Sequence, residues 1–396
     1  MGLFGSNRIY LDYASATPLR EEAARAMREA EALSGNPGSI HSEGVAAMRS
    51  LTYSRERIAK ELACKAREIV FTSGLSESNN LAILGFAQAL DREGKNIVGT
   101  HWITSSIEHP SVLECFSELE RLGAKVSHVD PEPSGVVRAE KVVRALRKES
   151  IFVSIGWANS EIGTVQPLAD IARVIHAHEK EHRTGVLLHA DAGQAPLYLA
   201  PRVHTLGVDL LTLGSGKLYG PRGVGALYRG KRTALSPLTL GGAQERGVRA
   251  GTESVALAAG FSEALASAAA KRAPEAQRLQ KSRDDFARDI IAQVPGVIIN
   301  GDLRRALPHM LNISIPNINS EYLVLALDRA GLAISTKAAC SEGDRSESHV
   351  VAALGGEKWR STNTLRISFG NDTTARSARR AHALLIRVLA TLPRDS

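Results

Sequence analysis

The chain has 396 residues, 43% hydrophobic and 23% charged, an ordinary globular mix that excludes a disordered, collagen-like or coiled-coil protein. At roughly 150 residues per domain the length allows two or three domains and a large core. The net charge is +7, but the 49 Lys and Arg are scattered, so the surface suits an acidic protein partner better than direct contact with nucleic acid.

Apolar residues at helical spacing predict helices over 19–33 and about 45–63, with the turn GNPGS between them. Short β-rich runs follow at 68–72, 101–105, 124–129, 151–156, 186–191, 208–213 and 224–228. Helical patterns over 78–91, 110–122, 139–148 and 168–182 separate most of them. This alternation predicts βαβ units and an α/β fold: a mostly parallel seven-stranded sheet flanked by helices. Ligands in such sheets bind beyond the carboxyl ends of the strands. After Gly251 the pattern changes to a long helix over 253–293, interrupted near Pro274. Strand-like runs at 311–316, 333–336 and 366–369 follow, with a helix over 320–330, a polar loop at 341–348 and a last helix from Thr373. The expected division is a large α/β domain over 19–260 and a small α+β domain built from 1–18 and 261–396. No apolar run reaches the ~18 residues of a membrane span. The opening MGLFGSNRIY lacks a basic segment followed by an apolar one, so a cytoplasmic protein without a membrane partner is expected.

Cys64, Cys115 and Cys340 are odd in number, widely spaced and free of any CxxC, which predicts unpaired thiols in a reducing compartment. Cys64 and Cys115 lie in amphipathic helical patterns and read as small buried hydrophobes. Cys340 instead follows a strand-like run and opens a polar loop.

Three segments carry chemistry. LGSGKLYGPRGVGALY, over 213–228, sets Lys217 among glycines at the carboxyl end of a strand. Such a lysine is either an exposed charge or a group that forms a Schiff base with a carbonyl, pyridoxal phosphate being the usual partner. VLLHADAGQAP, over 186–196, ends an apolar strand on Asp191, either a turn residue or the partner of a pyridine nitrogen. FTSGLSESNNLA, over 71–82, closes a strand and opens a helix near Ser76, either a plain cap or an anion site. Other matches are set aside. GALYRGKR has P-loop spacing, but Arg232 stands where a magnesium-binding hydroxyl is needed. HEKEH, over 178–182, has the HExxH spacing of a zinc site but reads as a charged, solvated helix end. MGLFGS fits a permissive myristoylation pattern without further support.

Read together, LDYASATPL, GNPGSIHSEG, EIVFTSGLSESNNLAI, ITSSIEHPSVL, VSIGWANSEIGTVQPL, LLHADAGQA, GSGKLYGPRGVGALY, GGAQERGVRAGTES, LNISIP and STKAACSEG resemble the cysteine desulfurases. These are pyridoxal-phosphate enzymes of the class V aminotransferase group, and the resemblance runs in order over about residues 10–370. Cys340 on a loop, without an adjacent His-His, is similar to the subgroup serving iron–sulfur assembly and tRNA thiolation. The resemblance implies a homodimeric fold-type I PLP-dependent transferase that converts L-cysteine to L-alanine. Cys340 would take the sulfur as a persulfide and pass it to an acceptor protein, an iron–sulfur scaffold or a tRNA-thiolation enzyme.

The resemblance also implies roles for matching positions. Lys217 would bind the cofactor covalently and move protons at the substrate α-carbon. Asp191 would pair with the pyridinium nitrogen, His109 would stack on the ring and assist proton transfer, and Gln194 would bond the ring hydroxyl. Asn159 would contact ring or substrate. Gly74 and Ser76 would serve the phosphate, Ser76 standing where the family usually has Thr. Thr252 would reach the phosphate across the dimer. Arg366 would bind the substrate carboxylate, with Asn36 nearby. One departure stands out: the family usually reads Ser-Gly-His-Lys, and this chain reads Gly214, Ser215, Gly216, Lys217. Two side-chain donors to the phosphate are therefore absent, and backbone amides or Ser215 are expected to replace them, with weaker retention of the cofactor. Two other readings stay open: a selenocysteine lyase, β-lyase or aminotransferase of the same fold, and a non-catalytic sulfur-assembly scaffold.

Overall fold

The computed structural model describes residues 8–337 and 347–392; the MGLFGS opening and the segment 338–346, which carries Cys340, lie outside them. The described chain opens on β1 (Ile9–Tyr10) and two helices, Glu21–Glu31 and Ser42–Leu62. The main sheet is then laid down by β2 (Ile69–Thr72), β3 (His101–Ser105), β4 (Lys125–Val129), β5 (Ser150–Ser154), β6 (Leu187–Asp191), β7 (Leu210–Gly214) and β8 (Gly225–Arg229). Its seven strands lie in the order β2-β8-β7-β6-β5-β3-β4. Only β8 runs against its neighbours; the pairs from β7 to β4 are all parallel. Central strands such as β3 and β7 are buried throughout, as strands covered on both faces must be, whereas β4 at the edge is half exposed.

The helices Leu75–Arg92, Pro110–Arg121, Ala139–Ala145 and Leu168–His182 connect the strands. Trp102, Phe116, Phe152, Leu210 and Leu227 pack on one face. On the other, Leu211 and Leu213 share a core with Leu311, Ile313, Leu365 and Ile367 of a second sheet. That sheet is antiparallel and joins β9 (Ile298–Ile299), β10 (Met310–Ser314) and β12 (Thr364–Ser368), while β11 (Leu332–Ala333) pairs with β1. The chain returns through the helices Ser320–Arg329 and Ala375–Leu389.

The expected interruption near Pro274 does not occur: one helix runs from Val255 to Gln293 with Pro274 inside it. Pro274 cannot donate to the carbonyl of Ala270, but both residues are exposed, so water can serve that carbonyl. The HEKEH segment closes the helix Leu168–His182, and its Glu179 accepts from the Val186 amide and Arg232. GALYR is strand β8, not the start of a phosphate-binding turn. Cys115 is buried and Cys64 half-buried, and burial pushes both thiols up to about 12. Among the described residues no helix is long and apolar enough to cross a membrane.

Candidate active site

The carboxyl ends of the parallel strands converge on one cleft. Asp191 is the last residue of β6, and Lys217 lies in the short helical turn that follows β7. His109 caps the helix after β3, where Pro110 supplies the first-turn residue that needs no N–H partner. Asn159 follows β5, and Arg366 arrives from β12 of the second sheet. These five residues and Gln194 line a single pocket with Ala14, Ser15 and Glu108.

The segment Asp12–Ser15 closes the pocket. Lys217 Nζ donates to the carbonyls of Ala14 and Ser15, each at 2.6 Å, and Gln194 Nε2 donates to Ala14 O at 2.8 Å. Arg366 is fully buried and paired with Asp12 at 3.0 Å; it also donates to Ser15 Oγ and to the Ser160 carbonyl. Its Nε is buried with no acceptor among the described residues.

Asp191 is held on both sides. Oδ1 accepts the Gly193 amide and Oδ2 accepts Asn79 Nδ2, each at 2.8 Å. Asn79 Nδ2 also donates to Ser111 Oγ at 2.9 Å, and Ser111 Oγ lies 2.8 Å from His109 Nδ1. The Ser111 amide donates to the same ring nitrogen, so a neutral His109 carries its proton on Nε2. Burial lowers the His109 pKa, and Asp191 opposes that shift. Next to it, Glu108 receives the Gly156 amide and the Ser105 hydroxyl, and burial pushes its carboxyl up to about 7. His349 Nε2 donates to the Glu108 carbonyl at 3.0 Å. Asn159 is largely committed to its own loop: it donates to Ile107 O and accepts from the Glu161 and Ile162 amides.

A second cleft adjoins the first, and Lys217 and Leu75 line both. Gly74, Gly214 and Gly216 lie in this second cleft, at the start of the helix Leu75–Arg92. Gly74 has φ +157, which a residue with a side chain rarely adopts. The Ser78 amide donates to Gly74 O, so the amides of Leu75, Ser76 and Glu77 precede the first intrahelical bond.

Four expected residues are not brought to these walls. Ser76 is exposed and lines neither cleft. Ser215 is fully buried, with its hydroxyl against Gly220 and no partner among the described residues. Gly214 on one side of it and Gly216 on the other face the cleft, and Ser215 is turned inward between them. Asn36 is exposed and accepts the Gly38 amide within its own turn. Thr252 is exposed ahead of the long helix. Cys340 lies outside the described residues. Conversely, the motifs did not single out Asp12, Asn79, Glu108 or Ser111. Asn79 could have been found from its spacing, one turn into a helix that opens beside the site.

An amine, a carboxylate on the neighbouring strand and a helix start lined by glycines form a donor set that fits pyridoxal phosphate: aldehyde, ring nitrogen and phosphate.

The fold and this edge define the class. The family model for aminotransferase class-V matches residues 9–380, and the chain belongs to that family, whose members generally depend on pyridoxal phosphate. Within the family it groups with the cysteine desulfurases. It is 38% identical over 385 residues to the cysteine desulfurase IscS of Dictyoglomus turgidum, covering 97% of this chain and 95% of that protein. It is 35% identical over 384 residues to cysteine desulfurase IscS 1 of Archaeoglobus fulgidus, covering 97% of each. A solved NifS-like protein superposes with a TM-score of 0.88 at 30% identity, over 97% of this chain and all of that one. DndA from Streptomyces lividans superposes with a TM-score of 0.74 at 31% identity, over 91% of this chain and 99% of that one.

Proposed function

We propose that the chain is a cytoplasmic, homodimeric, pyridoxal-phosphate-dependent cysteine desulfurase that converts L-cysteine to L-alanine and hands the sulfur to an acceptor protein for iron–sulfur clusters or thiolation. In this reading a large domain spans 19–260, and 1–18 with 261–396 forms the small one. The observation that carries it is the meeting of Lys217, Asp191, His109, Gln194 and Arg366 in one pocket of a chain that groups with desulfurases.

Bound at Lys217, the cofactor supplies an electron sink for the carbon next to the substrate carboxylate. Asp191, fixed by Asn79 and Gly193, holds the proton on the pyridine nitrogen. Gln194 would bond the ring hydroxyl, and His109 would stack on the ring with its Nε2 proton available. Arg366 takes the substrate carboxylate; its unpartnered buried Nε is a donor such an anion satisfies without displacing Asp12. Lys217 then carries the proton away from the substrate α-carbon and returns it. The Cys340 thiolate attacks the substrate sulfur. A sulfur–sulfur bond forms, the carbon–sulfur bond breaks, and its electron pair stays on the carbon, which takes up a proton to become the alanine methyl. In this reading Thr252 reaches the phosphate across the dimer, and Asn36 contacts the substrate near Arg366.

The test is incubation with L-cysteine and a reductant, wild type beside Cys340→Ser, with alanine and sulfide quantified. Both products are expected from the wild type and neither from the variant. Activity that survives the substitution points to a lyase or another class V reaction, and silence in both proteins points to a scaffold or an untested substrate.

A further inference from the structure

The glycines before Lys217 are not equivalent. A Cβ at Gly214 would lie 2.5 Å from Leu75 Cγ and 2.9 Å from its Cδ1, and one at Gly193 would meet the same Cδ1 at 2.9 Å. Atoms do not pack that closely, so Leu75 occupies the space a side chain at 214 requires. Glycine at 214 is thus the steric counterpart of leucine at 75. Gly216 is different. The nearest atoms to a Cβ there belong to Arg222, at 3.5 Å from Cγ and 3.9 Å from Cα, an ordinary contact. A side chain would fit at 216, and Arg222 borders the space it would fill.

Arg222 lines the second cleft together with Ser73, Gly74 and Lys217, and among the described residues no acidic one lines it. Among the described residues it makes no hydrogen bond or ion pair; its charge is felt at Tyr10. The leading amides of the helix Leu75–Arg92 start at the same cleft. A guanidinium beside helix-start amides is suited to a phosphate dianion.

We propose that Arg222 is the side-chain cation for the cofactor phosphate in this chain, replacing donors that positions 214 and 216 lack, with Leu75 excluding a side chain at 214. The proposal rests on the pyridoxal-phosphate reading above.

The test is spectroscopic titration of the full-length protein, stripped of cofactor, with pyridoxal phosphate and with pyridoxal, which lacks the phosphate. A hydrogen bond to a charged group is worth enough to predict a loss of roughly tenfold to a hundredfold in pyridoxal phosphate affinity for Arg222→Gln. Pyridoxal affinity should change less than about twofold, and Gly216→His should recover most of the loss in the Arg222→Gln background. Equal affinity in Arg222→Gln and wild type overturns the proposal, and so does an equal loss for both ligands. A wild type that binds neither ligand overturns the cofactor reading and this proposal with it, a result distinct from those two. The steric claim is read separately by thermal unfolding: Gly214→Ser should lower the midpoint, and Leu75→Ala should recover it. A Gly214→Ser protein as stable as wild type refutes the interlock.

Discussion

Asn79 is fully buried, and its single amide nitrogen holds both Asp191 and Ser111. Replacing it with Ala removes one of the two hydrogen bonds on the Asp191 carboxylate and the contact that ties Ser111 and His109 to it. A hydrogen bond to a charged group contributes about 1.5–3 kcal/mol and a neutral one about 1 kcal/mol. Asn79→Ala should therefore destabilise the cofactor-free protein by about 3 kcal/mol, of which about 2 kcal/mol depends on the carboxylate. The assay is urea unfolding of wild type, Asn79→Ala, Asp191→Ala and the double variant. The cycle should return a coupling near 2 kcal/mol, because deleting either partner removes the same bond. A coupling below about 0.5 kcal/mol would show that Asn79 does not hold Asp191, and the relay to His109 would fall with it.

Two further outcomes follow from burial. Glu108 is neutral in the folded chain up to about pH 7, whereas an ordinary carboxyl ionises near 4.5. The native state then binds the extra proton between those values, so this group's contribution to stability falls as pH rises through the window and is gone above about 7. Relative to Glu108→Gln, which cannot titrate, wild type should lose on the order of 3 kcal/mol of stability as pH rises across it; a difference independent of pH would refute the assignment. His189 and His309, held neutral to about 4 and 3, act oppositely, their stabilisation being lost as pH falls, but they cancel in that comparison. The second outcome concerns thiols. With Cys64 and Cys115 both pushed up to about 12, neither should label fast in native protein at pH 8, and any fast labelling should be lost in Cys340→Ser. Fast labelling that persists in Cys340→Ser would contradict this.

The βαβ pattern was legible because buried parallel strands need continuous apolar runs and the helices between them repeat at their own period. All seven runs of the main sheet appear as strands within a residue or two. The antiparallel run of β8 was not legible, since direction depends on a connection and not on composition. The long helix was misread at Pro274 because proline's cost was weighed without knowing that the carbonyl it orphans is exposed. In the site, Lys217 and Asp191 stood out as polar residues at strand ends, and His109 only through the family resemblance. Asn79 and Glu108 did not, because their significance lies in contacts with residues 112 and 48 positions away. Ser215 shows the converse limit: a local motif does not tell which of three consecutive residues turns away from the cleft.

The closing wall of the pocket makes the same point energetically. Lys217 comes from the turn after β7, Gln194 from the turn after β6 and Arg366 from β12, yet all three end on four residues near the start of the chain. Asp12–Ser15 offers them one carboxylate, one hydroxyl and two carbonyls. Carbonyl dipoles stabilise an ammonium less than an anion would, so these two contacts position Lys217 more than they neutralise it. Arg366 differs, since Asp12 already compensates part of its charge and its buried Nε has no acceptor among the described residues. A buried donor without a partner costs about 1–3 kcal/mol. In the proposed reading, a substrate carboxylate that reaches Nε recovers that cost on binding, so the arginine's incomplete hydrogen bonding adds to the selectivity its charge supplies.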